Sequence, residues 1–232
     1  MGSKLDFSVL GRGDYPQWIW HGVLTMFELT AAAWLFAMAL GTLLAVVRMS
    51  DSRVAKACVA GYVEYHQNVP MLVQVFLWYF GMPALLPHAG QQWLNAHDSE
   101  FLLAFISIGL CMAAYVSEGL RGGIRSIPKS QLEAARAIGL SYLQASRLVM
   151  VPQALRIALP TLVSHTVLLF KNTSLAMTVG LAELTYVTRE IESQSFRTVE
   201  VYLLSTVIYL GVSLLIMTIG TGLENRYRIR AR

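Results

Sequence analysis

Only 14% of the 232 residues are charged and 55% are hydrophobic, against roughly 25% charged residues in an ordinary soluble domain. With a mean hydropathy of +0.52, the composition excludes a soluble globular protein and points to an integral membrane protein. The net charge of +4 is therefore no argument for nucleic-acid binding, and what matters is which loops carry the cations.

From Met1 to Pro16 there is Lys4 but no apolar core, so no cleavable signal peptide is expected. A spanning helix needs about 20 apolar residues. Five stretches qualify: Trp18–Val47, Val59–Leu86, Phe101–Ile124, Thr161–Leu181 and Val201–Leu223. The whole of 1–232 thus reads as a single all-α, polytopic transmembrane domain of five helices, with its termini on opposite sides. If the N-terminus lies outside, the inner segments hold three cations in 48–56, six in 121–156 and four in 226–232, thirteen of the eighteen. The outer segments hold Lys4, Arg12, Arg189 and Arg197. The positive-inside bias therefore predicts a cytoplasmic C-terminus and an N-terminus on the outer side, periplasmic if the membrane is a bacterial inner membrane.

Within the second stretch, Asn68-Val69-Pro70 and Gly81-Met82-Pro83 predict irregular backbone. Trp18, Trp20, Trp78, Tyr79 and Trp93 suit an aromatic belt. Cys58 and Cys111 fall in or beside apolar segments and the five histidines lack ligand spacing, so neither a disulfide nor a metal site is expected. No phosphate-binding glycine loop, nucleophile elbow or zinc helix occurs, so no catalytic residue and no cofactor is assigned, and ATP chemistry would need another chain.

Residues 126–152 form a polar, basic interruption. Ser130 and Glu133 have the spacing of a capping box for a helix beginning at Gln131, and Gly139 supplies a left-handed residue to end it. Ser141 and Gln144 repeat the capping spacing, so a second helix follows at once and the stretch reads as a compact elbow. Beyond it, Ser141–Ala158 suits a helix lying at the inner interface, its continuity broken by Pro152 and Pro160. Leu181–Thr198 is too charged to span and reads as an outer surface segment.

Polar groups inside the membrane carry the most functional information, because a charge at mid-bilayer costs at least about 2.5–3.5 kcal/mol. Lys171 lies ten residues past Thr161, roughly 15 Å or half the hydrocarbon thickness. Asn172, Thr173 and Ser174 follow it, where a helix can unwind around a cavity. Two roles are open for Lys171, a ligand or one half of a buried ion pair. Two are open as well for Glu118, a co-ligand across the cavity or a partner of Arg121. Glu28, in the first span, reads as structural.

Glu133-Ala134-Ala135, Gly139 and Pro152 stand in register with the "EAA" loop of the permease subunits of ATP-binding-cassette (ABC) importers, which this stretch resembles. Val149 and Val151 replace the usual Ile and Leu. Tyr62, Glu64, Asn68 and Pro70 match the family's segment before the second span, although Gln67 stands where arginine is usual. Ala114–Ile124 and Phe170–Leu175 are similar to the corresponding parts of polar amino-acid permeases of the histidine, glutamate, glutamine and arginine type, most of all the glutamate/aspartate members. Where many relatives have Lys-Asp, this chain has Lys171-Asn172, which makes the site more positive and suits an acidic substrate.

The resemblance implies a type I ABC importer permease fold whose elbow is the cytoplasmic coupling helix. It assigns ATPase coupling to Glu133, Ala134, Ala135, Gly139 and Pro152, and substrate binding to Lys171, Asn172, Thr173, Ser174 and Glu118. It implies as partners two cytoplasmic ATP-binding subunits, a second permease chain, a periplasmic substrate-binding protein and the lipid bilayer. The rival from another class is an ion-coupled secondary carrier, against which stand the absence of an internal inverted repeat and the presence of the elbow. A purely structural membrane anchor would leave Lys171 and Glu118 without a role.

Overall fold

The computed structural model describes residues 5–227, which contain helices and no strand. The N-terminal Lys4 and the cations of 228–232, which entered the charge argument, lie outside the described residues. The bundle is built from α1 (Tyr15–Met49), α2 (Arg53–Asn68), α3 (Met71–Phe76), α4 (His88–Asn95), α5 (Ser99–Arg125), α6 (Lys129–Ala137), α7 (Tyr142–Ala145), α8 (Val151–Asn172), α9 (Leu184–Ser195) and α10 (Thr198–Tyr227).

At its centre is α5. Of its most apolar stretch 56% is buried, against 17–22% for the other long apolar helices. On α1 the buried residues Gly22, Met26, Leu29, Ala33, Ala37, Gly41 and Ala45 recur every three or four positions and are mostly small, which lets two helix backbones approach closely. A Cβ on Gly41 would stand 2.7 Å from Val116 Cβ and 2.8 Å from the Ala113 carbonyl oxygen. On the other side of α5, a Cβ on Gly123 would stand 2.5 Å from the Ala154 carbonyl oxygen of α8.

Four helices are long and apolar enough to cross a membrane on their own, and the bent pair at 53–85 is a fifth when it is counted as one broken span. That second span turns through 107° between Asn68 and Met71, beside the first irregularity expected from the prolines. Pro70 cannot donate, and the carbonyls freed by the break are met by one buried side chain. Gln74 Nε2 donates to His66 O (3.0 Å) and Val69 O (2.8 Å), while His66 Nδ1 donates to Gln74 Oε1 (2.6 Å). Beyond α3 the chain passes through a π turn (Leu77–Gly81) and a 3-10 turn (Met82–Leu85).

Three local expectations need correction. Ser130 does not cap α6: Pro128 is the N-cap, no side chain caps the helix, and Gln131 N–H already bonds to Pro128 O. Proline's fixed φ is pre-set for a helix start, which places Ser130 inside the first turn. The segment 141–158 is not a separate interfacial helix either, and its prolines do not break it. From Tyr142 the chain runs helically into the fourth span. In a π turn at Ser146–Met150, Val151 N–H reaches back to Ser146 O, which leaves Pro152 in the first turn of α8 where no N–H is required. Pro160 is accommodated inside α8, with Ser164 Oγ donating to Pro160 O at 3.1 Å. Finally, Leu181–Thr198 is more than a surface segment: α9 buries Leu184, Val187, Thr188 and Ile191 against α1 and α10.

Other local expectations hold. Ser141 and Gln144 form the reciprocal capping box, and Gly139 has φ +91°. With Leu140 N–H bonded to Ala135 O and Gly139 N–H to Arg136 O, α6 ends in a Schellman motif. Cys58 and Cys111 are both free.

Candidate functional site

The α-helical geometry of α8 stops at Asn172 and the chain continues as a 3-10 helix, Thr173–Val179, which Gly180 ends with φ +93°. This change of pitch falls on the Lys171–Ser174 stretch. Lys171 and Ser174 open onto a cavity of about 560 Å³ between α8, α9 and α10. It is lined by Thr185, Tyr202, Ser205, Thr206, Tyr209 and Ser213 together with the apolar Val167, Leu210, Leu214 and Met217, and the Ser205 and Thr206 hydroxyls donate to carbonyls of their own helix, Val201 O and Tyr202 O. Lys171 is the cation of this lining, and no carboxylate belongs to it.

The wall is rigidified from behind. Thr185 Oγ1 and Tyr209 OH lie 2.9 Å apart, and Tyr209 OH donates to Glu183 Oε2 at 2.9 Å. Thr188 Oγ1 and Ser205 Oγ are 2.7 Å apart. Glu183 is fully buried and caps α9, accepting from Thr185 N–H and Tyr186 N–H at 2.9 Å each. Burial pushes its carboxyl up to about 6, and the donated hydrogen bonds oppose that rise without cancelling it.

The other residues assigned to this site from sequence are placed differently. Thr173 is fully buried, and its hydroxyl donates to Phe170 O at 2.7 Å, so it shapes the 3-10 turn. Asn172 is half-buried and is not part of the cavity wall. Glu118 opens onto a separate recess of about 410 Å³ with Gln67, Tyr115 and His165. Its carboxylate accepts from Arg48 Nη1 at 2.7 Å and from Arg121 Nε at 2.8 Å, with a further bond from Arg121 Nη2. Glu118 and Lys171 are thus not brought together, and Glu118 is engaged by two arginines.

The cavity contains groups that the sequence reading passed over, namely Thr185, Tyr202, Ser205, Thr206, Tyr209 and Ser213. Five of these recur at helical spacing along one face of α10, and that polar stripe within an apolar span was the available signal.

At the elbow, Glu133, Ala134 and Gly139 are exposed and Ala135 is buried. Pro152 is half-buried at the base of the elbow, where Gln153 Nε2 reaches Gln131 Oε1 at 3.4 Å. The same elbow exposes Ile138, Tyr142, Leu143 and Leu148, each 63–79% exposed. Exposed apolar side chains of this kind suit contact with another protein; Leu143 and Leu148 belong to the stretch whose sequence suits an interfacial helix, whereas Ile138 and Tyr142 carry no such sequence signal.

Residues 37–229 match the family model described as "binding-protein-dependent transport system inner membrane component". The glutamate/aspartate import permease protein GltJ of Escherichia coli (strain K12) is 32% identical, over 98% of this chain and 94% of that protein. The probable amino-acid ABC transporter permease protein PatM of Vibrio harveyi is 34% identical, over 86% of this chain and 87% of that protein. Among solved structures, the crystal structure of an amino acid ABC transporter with histidines superposes with a TM-score of 0.84 at 26% identity, covering 97% of this chain and 100% of that one. An inward-facing MetNI methionine ABC transporter, at 16% identity and a TM-score of 0.71, shares the fold.

Proposed function

The chain belongs to the family of inner membrane components of binding-protein-dependent transport systems, and on that footing we propose that it is an amino-acid permease subunit whose substrate is acidic, glutamate or aspartate. The observation that carries the substrate class is Lys171. It faces a cavity within the apolar span, with no carboxylate in the lining and no ion pair among the described residues. A cation left open within the apolar span is costly unless an anion meets it, and a carboxylate accepting from the ammonium, with Tyr202 and Ser213 as further donors on the wall, would meet it. The likeness to GltJ supports the same reading.

The α-ammonium group of a zwitterion needs an anion. Glu118 was the first choice from sequence, but its two arginines and its separate recess count against it. Glu28 is exposed on α1 and has no ion pair among the described residues. The Phe27 and Phe170 rings stack at 6.4 Å, which sets α1 beside α8 at the level of Glu28 and Lys171. Two open charges in one apolar band call for a second permease chain to cover them, and the solute path would then run between the two chains. ATP hydrolysis belongs in this proposal to two cytoplasmic subunits docked on the elbows, and delivery of substrate to a periplasmic binding protein.

Lys171→Met keeps most of the side chain and removes the charge. It should raise the KM for glutamate uptake by about tenfold to a hundredfold, the equivalent of one charged hydrogen bond, at unchanged membrane abundance. Adding Glu118→Gln should restore nothing. An unchanged KM, or full rescue by the double change, would reject the assignment.

A further inference from the structure

The end of the bundle that carries the elbow holds a second polar recess, of about 530 Å³, between the last turns of α1 and α5 and the start of α2. Arg48, Lys56, Arg121 and Arg125 converge on it, and no carboxylate is among its lining residues. Glu118, just beneath, neutralises one charge by binding Arg48 and Arg121. Four cations less one carboxylate leave a local charge of about +3. Neither Lys56 nor Arg125 forms an ion pair among the described residues. Cations held this close repel one another, and an anion relieves the repulsion.

Two observations specify the anion. The recess is amphipathic, because Met49, Ala57 and Ile124 complete its wall and Met49 is 48% exposed. Its depth is that of a headgroup layer: Arg48 lies thirty residues along α1 from Trp18, roughly 45 Å, and a bilayer with its headgroups measures about 40–45 Å. With Trp18 at one interface, Arg48 stands at the other. A basic pocket between helices at this level, apolar on one wall, is complementary to a phosphate that carries acyl chains.

We propose that this recess binds the phosphate of an anionic phospholipid headgroup. Arg48 and Arg121, pre-oriented by Glu118, form its floor, and Lys56 and Arg125 close over it. The bound lipid would join α1, α2 and α5 beside the elbow. Nothing in this assignment depends on the substrate of the Lys171 cavity.

The test uses the permease purified with its ATPase subunits, stripped of lipid and titrated with phosphatidylglycerol or phosphatidylethanolamine while bound lipid is counted by native mass spectrometry. The wild type should retain phosphatidylglycerol in preference to phosphatidylethanolamine. Lys56→Gln with Arg125→Gln should weaken that retention by about fivefold per cation, roughly twenty-five-fold together. Lys56→Arg with Arg125→Lys should keep it, which separates loss of charge from loss of fold. Equal retention of the two lipids by the wild type, or undiminished retention by the Gln variant, would overturn the proposal. Displacement of phosphatidylglycerol by excess inorganic phosphate would show a free-anion site instead. Loss of the ATPase subunits from the Gln variant with lipid retention intact would show a protein contact instead.

Discussion

Glu183 illustrates how one residue can be held in place at a cost. It accepts three hydrogen bonds and has no cation beside it among the described residues. Its carboxyl is raised from 4.5 to about 6 because burial disfavours the charged form more than the three donors favour it. A raised carboxyl means that the folded protein binds a proton more tightly than the unfolded chain, so stability falls as pH rises. The favourable contribution is complete below about 4.5 and lost as pH climbs through about 6. The difference is about 2 kcal/mol. Melting curves between pH 4 and 7 should show the wild type gaining stability on acidification relative to Glu183→Gln, which has no such titration. Parallel pH profiles for the two proteins would show that Glu183 does not titrate in this window.

At the scale of elements, the elbow depends on one backbone conformation. The Schellman motif that ends α6 requires Gly139 at φ +91°, and the capping box of Ser141 and Gln144 starts α7 two residues later. The angle between the two helices is therefore set by a glycine and two caps, with Ile138, Tyr142 and Leu143 exposed around the bend. No atom lies within 4 Å of a Cβ built at Gly139, so a side chain there would meet no clash. The penalty is the left-handed conformation, about 1–2 kcal/mol for an L-residue. Gly139→Val should relieve it by rotating α7, displacing the exposed apolar group while leaving the spans intact. In the reconstituted importer, substrate-stimulated ATP hydrolysis should fall although membrane abundance stays normal. Coupled hydrolysis at the wild-type rate would show that the elbow tolerates the altered angle.

For the whole molecule, the distribution of charge sets orientation. The recess of Arg48, Lys56, Arg121 and Arg125 and the basic elbow occupy one end of the bundle, which the positive-inside bias assigns to the cytoplasm. The far end carries Ser8, exposed ahead of α1. With Cys58 and Cys111 replaced, a cysteine at Ser8 should react with an impermeant thiol reagent in intact cells, and one at Ser130 only after lysis. The opposite pattern would invert the topology.

The sequence by itself determined the helical membrane class, the elbow with its left-handed glycine and the site of the bend before Pro70. Each follows from local rules: apolar length, the spacing of caps, the missing N–H of proline. It also singled out Lys171, because a lysine in the middle of an apolar run is costly wherever the chain folds. Which groups surround that lysine was decided only by tertiary packing. The Tyr202–Ser213 stripe of α10 and Thr185 of α9 reach it through contacts between helices distant in sequence, whereas Arg48, seventy residues from Glu118, takes that carboxylate away from it. Likewise the helix running from Tyr142 into the fourth span owes its continuity to a π turn that places Pro152 where its missing N–H costs nothing. Local propensity cannot register an accommodation of that kind, because it depends on where the neighbouring turn begins.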